Sequence, residues 1–100
     1  MIETNFIEKL GEEIDVVKRH LMMLKIVKED GPIGIIKLSE KTGFPAHKVR
    51  YSLRILEEEG LIKPSPSGAV ITEKTEEFIN NFKNMLSNII KKLQELENKL

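Results

Sequence analysis

Residues 34–60 read GIIKLSEKTGFPAHKVRYSLRILEEEG, and the rest of the chain is organised around this segment. It divides at Thr42-Gly43-Phe44-Pro45, where glycine suits a tight turn and proline suits the first turn of a new helix. Two helices joined in this way predict a helix-turn-helix. A single apolar stripe that continues from one helix to the other supports the division. Its members are Ile35, Ile36 and Leu38 on the first helix and Val49, Leu53 and Leu56 on the second.

The outer face of the second helix, predicted over residues 45–59, is cationic along its amino-terminal half. From Phe44 to Leu56 there are three Lys or Arg residues and no acidic one, and then Glu57, Glu58 and Glu59 follow together. Acidic residues at a helix carboxyl terminus oppose the helix dipole and repel phosphate. This polarity is typical of a recognition helix that enters a DNA major groove by its amino-terminal half. The outward residues are Ala46, His47, Lys48, Arg50, Tyr51 and Arg54.

Residues 31–78 resemble the winged helix-turn-helix domain of small archaeal and bacterial transcriptional regulators. The resemblance rests on the T-G-x-P turn at residues 42–45, the V-x-x-x-L-x-x-L-E-x-x-G-L-I run at residues 49–62 and the I-T-E-K run at residues 71–74. It covers about half of the chain, and it implies DNA binding by the recognition helix and by a β-hairpin wing. Wings of this family usually carry Arg or Lys at the tip. Here the only cation of the wing is Lys63, at its base.

Two short apolar segments, residues 61–63 and 69–71, predict the hairpin of the wing. Between them, Pro64-Ser65-Pro66-Ser67-Gly68 forms the tip. Hydroxyl and backbone N–H groups there can bind a phosphate, so the tip either contacts DNA or is a plain turn. The candidate wing contacts are Lys63, Ser65, Ser67 and Gly68.

Arg50 and Arg54, one helical turn apart, are the leading candidates for contacts with bases or phosphates. A guanidinium group can donate two parallel hydrogen bonds to guanine or to phosphate. The alternative is a solvated face in which these residues pair with Glu57 or Glu58. His47 and Lys48 suit phosphate contacts, and Tyr51 suits a sugar or a thymine methyl group.

The amino-terminal residues 4–29 have helical apolar spacing, with Gly11 as a candidate break. Residues 14–29 are expected to cover the helix-turn-helix core. Residues 1–12 form an amino-terminal helical extension, and residues 3–12 of it pack either on their own domain or on a partner subunit. His20 is expected to be a surface histidine, and Asp30-Gly31-Pro32 ends the helix.

The carboxyl-terminal residues 73–100 predict a long helix with Thr72 as its N-cap. The steps of its apolar stripe alternate between three and four over three heptads, which is typical of a coiled coil. Such a helix outruns the small domain, so the stripe needs a partner. Flanking residues favour a parallel homodimer, while antiparallel pairing with the amino-terminal helix and a higher oligomer stay open. The stripe comprises Ile79, Phe82, Leu86, Ile89, Leu93, Leu96 and Leu100.

Composition restricts the chemistry. The 100 residues include no cysteine, which excludes disulfides, thiol catalysis and zinc fingers. No metal-ligand spacing, Ser/His/Asp arrangement or Gly-rich phosphate loop is present, so we expect no enzyme activity, no cofactor and no bound metal. The chain has no long apolar run and no signal-like start, which indicates a cytoplasmic protein without membrane contact. The resemblance, together with abundant Ile, Lys and Glu, suggests an archaeal, heat-adapted source.

These observations predict a mainly α fold with a small β-hairpin wing. Residues 1–72 form the DNA-binding domain, and residues 73–100 form the dimerisation helix. The function expected is that of a homodimeric transcriptional regulator that reads a roughly palindromic DNA site, and analogy favours a repressor. The alternative is a winged helix used as a protein-interaction module, which the neutral net charge and the poorly basic wing tip support. No residue specifies a small-molecule effector.

Overall fold

The computed structural model describes residues 5–100 as four helices and one two-stranded hairpin. This arrangement confirms the predicted mainly helical fold with a small wing and a long carboxyl-terminal helix. The elements in chain order are α1 (Asn5–Asp30), α2 (Ile35–Thr42), α3 (Ala46–Glu58), β1 (Ile62–Ser65), β2 (Gly68–Ile71) and α4 (Thr75–Lys99).

Helix α1 runs unbroken through Gly11, so the expected break there is wrong. A single glycine costs a helix about 1 kcal/mol relative to alanine, which a 26-residue helix tolerates. Only the second half of α1 enters the core, where Met23, Leu24 and Val27 are buried. Residues 5–15 are exposed. The first four residues of the predicted extension lie outside the described part of the chain.

The turn between α2 and α3 has the predicted glycine geometry. Gly43 has a φ of 78°, and its N–H donates to the Ser39 carbonyl at 2.9 Å. The Ser39 hydroxyl donates to the Phe44 carbonyl at 2.6 Å, which holds the turn closed. The expected burial of Ile36 is wrong, because its side chain is 77% exposed. An eight-residue helix buries one narrow stripe, and Leu38 and Ile35 occupy it.

Helix α3 ends in a Schellman arrangement. Gly60 has a φ of 73°, and its N–H donates to the Glu57 carbonyl at 2.9 Å. The N–H of Leu61 donates to the Leu56 carbonyl at 3.0 Å. Leu61 thereby turns back into the core, where it is buried. The wing therefore leaves the recognition helix in a defined direction.

The wing is longer, and its tip tighter, than the sequence predicted. Strands β1 and β2 pair from Ile62↔Ile71 to Ser65↔Gly68, which leaves Pro66 and Ser67 as the turn. The other edge of β2 bridges Ile33, whose carbonyl accepts from the Ala69 N–H at 2.8 Å. A Cβ on Gly68 would lie 2.5 Å from the Ile33 carbonyl carbon, so this crossing requires glycine.

Helix α4 begins three residues after the predicted N-cap, because Thr72 has another role. The Thr72 hydroxyl donates to the Gly60 carbonyl at 2.6 Å instead of capping the helix. Thr75 opens α4 and is fully buried, and its hydroxyl donates to the Leu61 carbonyl at 2.8 Å. These two bonds connect the end of α3, the wing and α4.

The core lies where α1, α2, α3 and the hairpin meet. Within residues 5–100, the buried apolar side chains form one cluster, and Phe78 and Ile79 from the start of α4 pack against it. The rest of α4 extends beyond the domain. The buried members are Met23, Leu24, Val27, Ile33, Leu38, Val49, Leu56, Leu61 and Ile62.

The substitution Thr75→Val should destabilise the fold by about 0.5–1.5 kcal/mol, because it removes the hydroxyl donor of the Leu61 carbonyl at nearly unchanged side-chain volume, while the Thr72 N–H still donates to that carbonyl at 3.2 Å. Urea unfolding measures the change. The control Ser87→Ala removes an exposed hydroxyl from the middle of α4 and should change stability by less than about 0.5 kcal/mol. Equal losses for the two variants would contradict the structural role of Thr75.

Candidate nucleic-acid interface

The outer face of α3 is open along its length. Val49 and Leu56 point into the core and are buried, which turns the opposite side chains to solvent. Each predicted contact residue of this helix is exposed. They are Ala46, His47, Lys48, Arg50, Tyr51 and Arg54.

A cleft of about 390 Å³ lies between α3 and the wing. Arg50 and Arg54 line it from the helix, and Lys63 lines it from β1. Ser65 and Gly68 complete the wing side. The structure thus brings five of the predicted contact residues, from two elements, around one concave surface.

Charge along this cleft changes sign toward the end of α3. Glu57 lines the cleft beyond Arg54, and Glu58 and Glu59 follow it. Neither Arg50 nor Arg54 forms an ion pair in the described part of the chain, where the salt bridges are Lys28–Glu76 and Lys41–Asp30. The alternative of arginines neutralised by the following glutamates is therefore not seen. Both guanidinium groups stay available to an anion.

Two guanidinium groups lie near the ring of Tyr51. The Arg54 Cζ is 5.2 Å from the Tyr51 ring centroid, and the Arg19 Cζ is 5.9 Å from it. Arg19 also lies 6.0 Å from the centre of the Phe44 ring, in the turn before α3. Cation–π contacts of this kind stabilise by about 0.5–1 kcal/mol at exposed sites. They orient Arg54 and place a further cation, from α1, beside the recognition helix.

Ser52 of α3 connects this helix to α1 through partly buried hydrogen bonds. It is fully buried, and its oxygen accepts from the Arg19 Nε–H at 2.9 Å. The hydroxyl hydrogen can then go to the His20 Nδ1, 2.7 Å away, which makes neutral His20 the acceptor. The expectation that His20 is a plain surface histidine is wrong, since it is half-buried and takes part in the contact between the two helices.

The position of His20 changes its titration. Burial, and secondly the positive charge of Arg19, lower the pKa of His20 below its ordinary value. Both causes disfavour the imidazolium form. A neutral imidazole is also the form that accepts the hydrogen bond from Ser52.

The wing residues divide between two surfaces. The Ser65 hydroxyl donates to the Gly68 carbonyl at 2.6 Å, so it stabilises the turn as well as facing the α3 cleft. Ser67 lies on the other side of the tip, in a hollow shared with Lys37 and Lys41 of α2. The predicted wing contacts therefore do not form one continuous patch.

Sequence reasoning missed Arg19, Ser52 and Ile36 near this surface. Ser52 lies three residues after Val49 and four before Leu56, which places it on the buried face of the helix. A small polar residue on that face indicates a buried hydrogen-bond partner. Ile36 and Lys37 line a shallow hollow with Ala46 and Arg50. No local pattern separates an outward Ile36 from an inward one in so short a helix.

The predicted dimerisation residues lie along α4 with different exposures. Ile79 and Phe82 are half-buried against the domain. From Leu86 onward the stripe is exposed, and Leu86 itself is 39% exposed. Together with Leu21 and Leu24 of α1, the first part of α4 lines a groove of about 470 Å³. The exposed remainder of the stripe comprises Leu86, Ile89, Leu93, Leu96 and Leu100.

Among residues 5–100, no group of three or more His, Cys, Asp or Glu side chains could hold a metal ion. Within the same range, no helix is long and apolar enough to cross a membrane.

Residues 18–63 match a family model described as winged helix-turn-helix DNA-binding. The match begins in the second half of α1 and ends in β1, so it includes the whole helix-turn-helix, Arg19 and Ser52. Residues 18–63 therefore form a winged helix-turn-helix DNA-binding domain, which supports DNA as a partner. Domains of this family are typically not enzymes. No curated protein matches the chain.

Stability should fall in mild acid because of His20. Its folded-state pKa lies below the unfolded value of about 6.5, so the unfolded chain binds the proton first as the pH falls. The contribution of neutral His20 to the free energy of unfolding is complete above about pH 6.5. It is lost as the pH falls through the lowered pKa of the folded state. Urea midpoints at about pH 7.5 and 5.5 measure this loss.

The variant His20→Asn offers an amide oxygen to Ser52 and does not titrate, so its stability should depend less on pH over the same window. The matched variant His47→Asn leaves the His20–Ser52 contact in place and should keep the wild-type loss. The same acid loss in His20→Asn as in the wild type would show that other groups cause it.

Proposed function

We propose that the protein is a homodimeric, sequence-specific DNA-binding transcriptional regulator that acts as a repressor. The observation that carries the proposal is the exposed cationic face of α3 inside the matched DNA-binding domain, where Arg50 and Arg54 lie beside the wing without an ion-pair partner among residues 5–100. The division at residue 72 separates this domain from a dimerisation helix over residues 73–100.

Recognition in this proposal begins with Arg50 and Arg54. They contact base edges or phosphates in the major groove, and the stack on Tyr51 reduces the freedom that Arg54 loses on binding. His47 and Lys48 bind phosphates at the amino-terminal end of α3, and Tyr51 meets a sugar or a thymine methyl group. Ala46 allows close approach to the groove. The wing adds contacts from Lys63, Ser65 and Gly68 in the α3 cleft, and Ser67 contacts DNA from the other side of the tip.

Dimerisation in this proposal uses the exposed stripe of α4. A helix of 25 residues is about 37 Å long, and most of its apolar stripe has no cover within residues 5–100. Parallel pairing places Met85 opposite Ile90 of the partner subunit and Lys92 opposite Glu97 of the partner subunit. One pair is apolar and the other is ionic, so both favour this orientation.

A two-fold dimer presents two recognition helices to one face of DNA. Their half-sites then lie about 34 Å apart, or a multiple of it, on a roughly palindromic site. The second helix binds at high effective concentration once the first is bound, which multiplies two weak affinities. Repression follows from occupancy, because a bound dimer blocks access of the polymerase to the DNA.

The double variant Arg50→Ala with Arg54→Ala should weaken binding to the preferred DNA site by about thirtyfold or more, since each lost contact of this kind costs about 1–3 kcal/mol. Binding is measured by fluorescence anisotropy at several salt concentrations. The slope of log K against log salt should become shallower by about two for two lost phosphate contacts. Sedimentation should show an unchanged oligomer.

The matched control is Lys9→Ala with Lys99→Ala, which removes the same charge from exposed positions near the ends of α1 and α4. It should leave DNA affinity within about threefold of the wild type. Unchanged DNA binding in the arginine variant would overturn the assignment of these residues. A wild-type protein that ignores DNA even at low salt would favour a protein-interaction module instead.

The substitution Leu93→Asp should separate the subunits, because it places a charge in the middle of the exposed α4 stripe. We expect sedimentation to show a monomer and DNA affinity to fall by about a hundredfold, as the effective-concentration gain is lost. The neighbouring control Gln94→Asp adds the same charge outside the stripe and should keep both the dimer and the affinity. Tight DNA binding by a Leu93→Asp monomer would contradict the dimeric mode.

A further inference from the structure

Helix α1 carries a second exposed apolar stripe that the DNA-binding function does not use. Ile7, Leu10, Ile14 and Val17 are between 42% and 52% exposed, and Phe6 is 77% exposed. This stripe continues the line of Leu21 and Leu24, which line the groove that α1 shares with the start of α4. Beyond the groove, the apolar faces of α1 and α4 are both bare within residues 5–100.

The chain exposes more surface than a compact protein of its size. Its accessible area is 7769 Å² for a mass of 11.5 kDa. A compact monomer of that mass exposes roughly 5,800 Å², so the excess is roughly 2,000 Å² per chain. A standard interface buries only about 800 Å² per partner. The excess is therefore ample for an obligate dimer that covers both stripes.

The two stripes match each other in spacing. The exposed positions on α1 are residues 7, 10, 14 and 17, and those on α4 are residues 86, 89, 93 and 96. The intervals between successive positions are three, four and three residues in both helices. The side chains of the two helices can therefore pack against each other in four successive layers. Antiparallel pairing has the same sense as the groove between α1 and α4 within one chain, beside which Lys28 contacts Glu76 at 2.6 Å.

Charge also favours a meeting of these two segments. Residues 5–15 of α1 hold four acidic residues and one lysine, a net charge of −3. Residues 83–92 of α4 hold three lysines and no acidic residue, a net charge of +3. Two α4 helices paired alone would bring six lysines close together. The acidic half of α1 compensates this charge when it joins the same bundle.

We propose that the occupant of the α1 stripe is a second copy of this chain, and that residues 6–17 of one subunit pack on α4 of the partner subunit. The interface is then a four-helix bundle made of two α1 and two α4 helices. This inference rests on the homodimer of the proposed function, and it assigns a role to the amino-terminal half of α1. Each α1 also contacts its own α3 through Ser52, so the bundle is coupled to the recognition helix.

Cysteine crosslinking tests the proposal directly, because the chain has no cysteine of its own. Leu10→Cys and Leu93→Cys are made separately, unfolded together, refolded as a mixture and treated with a short bismaleimide. We expect covalent dimers that contain one chain of each variant, identified by mass. The controls are Lys9→Cys and Gln94→Cys, one residue away on the outer faces, and their mixture should crosslink in much lower yield.

The outcomes separate this inference from the homodimer itself. If Leu93→Cys crosslinks to itself but never to Leu10→Cys, α4 alone forms the interface and the inference is wrong while the homodimer stands. If the double variant Leu10→Cys with Leu93→Cys forms a crosslink only within one chain, α1 packs on α4 of its own chain and the inference is again wrong. A protein that is monomeric throughout, with no crosslinked pair, overturns both.

A second measurement does not depend on crosslinker geometry. The variant Ile14→Asp should raise the dimer dissociation constant by about tenfold or more in sedimentation equilibrium. Its monomer should stay folded by circular dichroism, because Ile14 lies outside the core cluster. The variant Lys9→Asp places the same acidic side chain off the stripe and should stay within about threefold of the wild type. An unchanged dissociation constant for Ile14→Asp would overturn the inference.

Discussion

The hydrogen bonds of two threonines to one short backbone segment are the constraint on which the geometry of this protein depends. The hydroxyls of Thr72 and Thr75 donate to the carbonyls of Gly60 and Leu61, immediately after the recognition helix. The wing and α4 both leave the domain from this junction. The Thr75 hydroxyl is fully buried and Thr72 is half-buried, so losing these bonds would be costly. The two bonds therefore fix the relative direction of α3, the hairpin and α4. The proposed homodimer requires such a fixed angle between α3 and α4, because both recognition helices must meet the same DNA.

A second junction acts on the recognition helix from the opposite side. Arg19 and His20 of α1 reach the buried Ser52, while Arg19 and Arg54 lie against the Tyr51 ring. The same helix that carries the exposed amino-terminal stripe therefore also holds α3. In the proposed four-helix bundle, the distance between the two recognition helices is set through α1 as well as α4. Dimer geometry and DNA spacing would then be linked through packed side chains rather than through a flexible linker.

The predicted fold was correct where local rules and tertiary packing agree. Gly43 forms the tight turn expected of it, and Val49 and Leu56 point inward as the helical period requires. The exposed positions of Arg50 and Arg54 follow from the same period. The errors fall where tertiary contacts override local preference. Ile36 faces out because α2 is short, Thr72 bonds to Gly60 rather than capping α4, and His20 is held by a serine 32 residues away.

The sequence alone therefore determined the element order, the helix-turn-helix and wing, the cationic polarity of α3 and the apolar stripe of α4. These properties depend on period, turn chemistry and charge order, which act over a few residues. Only the tertiary structure decided that Arg50, Arg54 and Lys63 surround one cleft, that Ser52 anchors Arg19 and His20, and that α1 has a bare stripe. Such features depend on which side chains meet across elements far apart in the chain, and no local pattern contains that information.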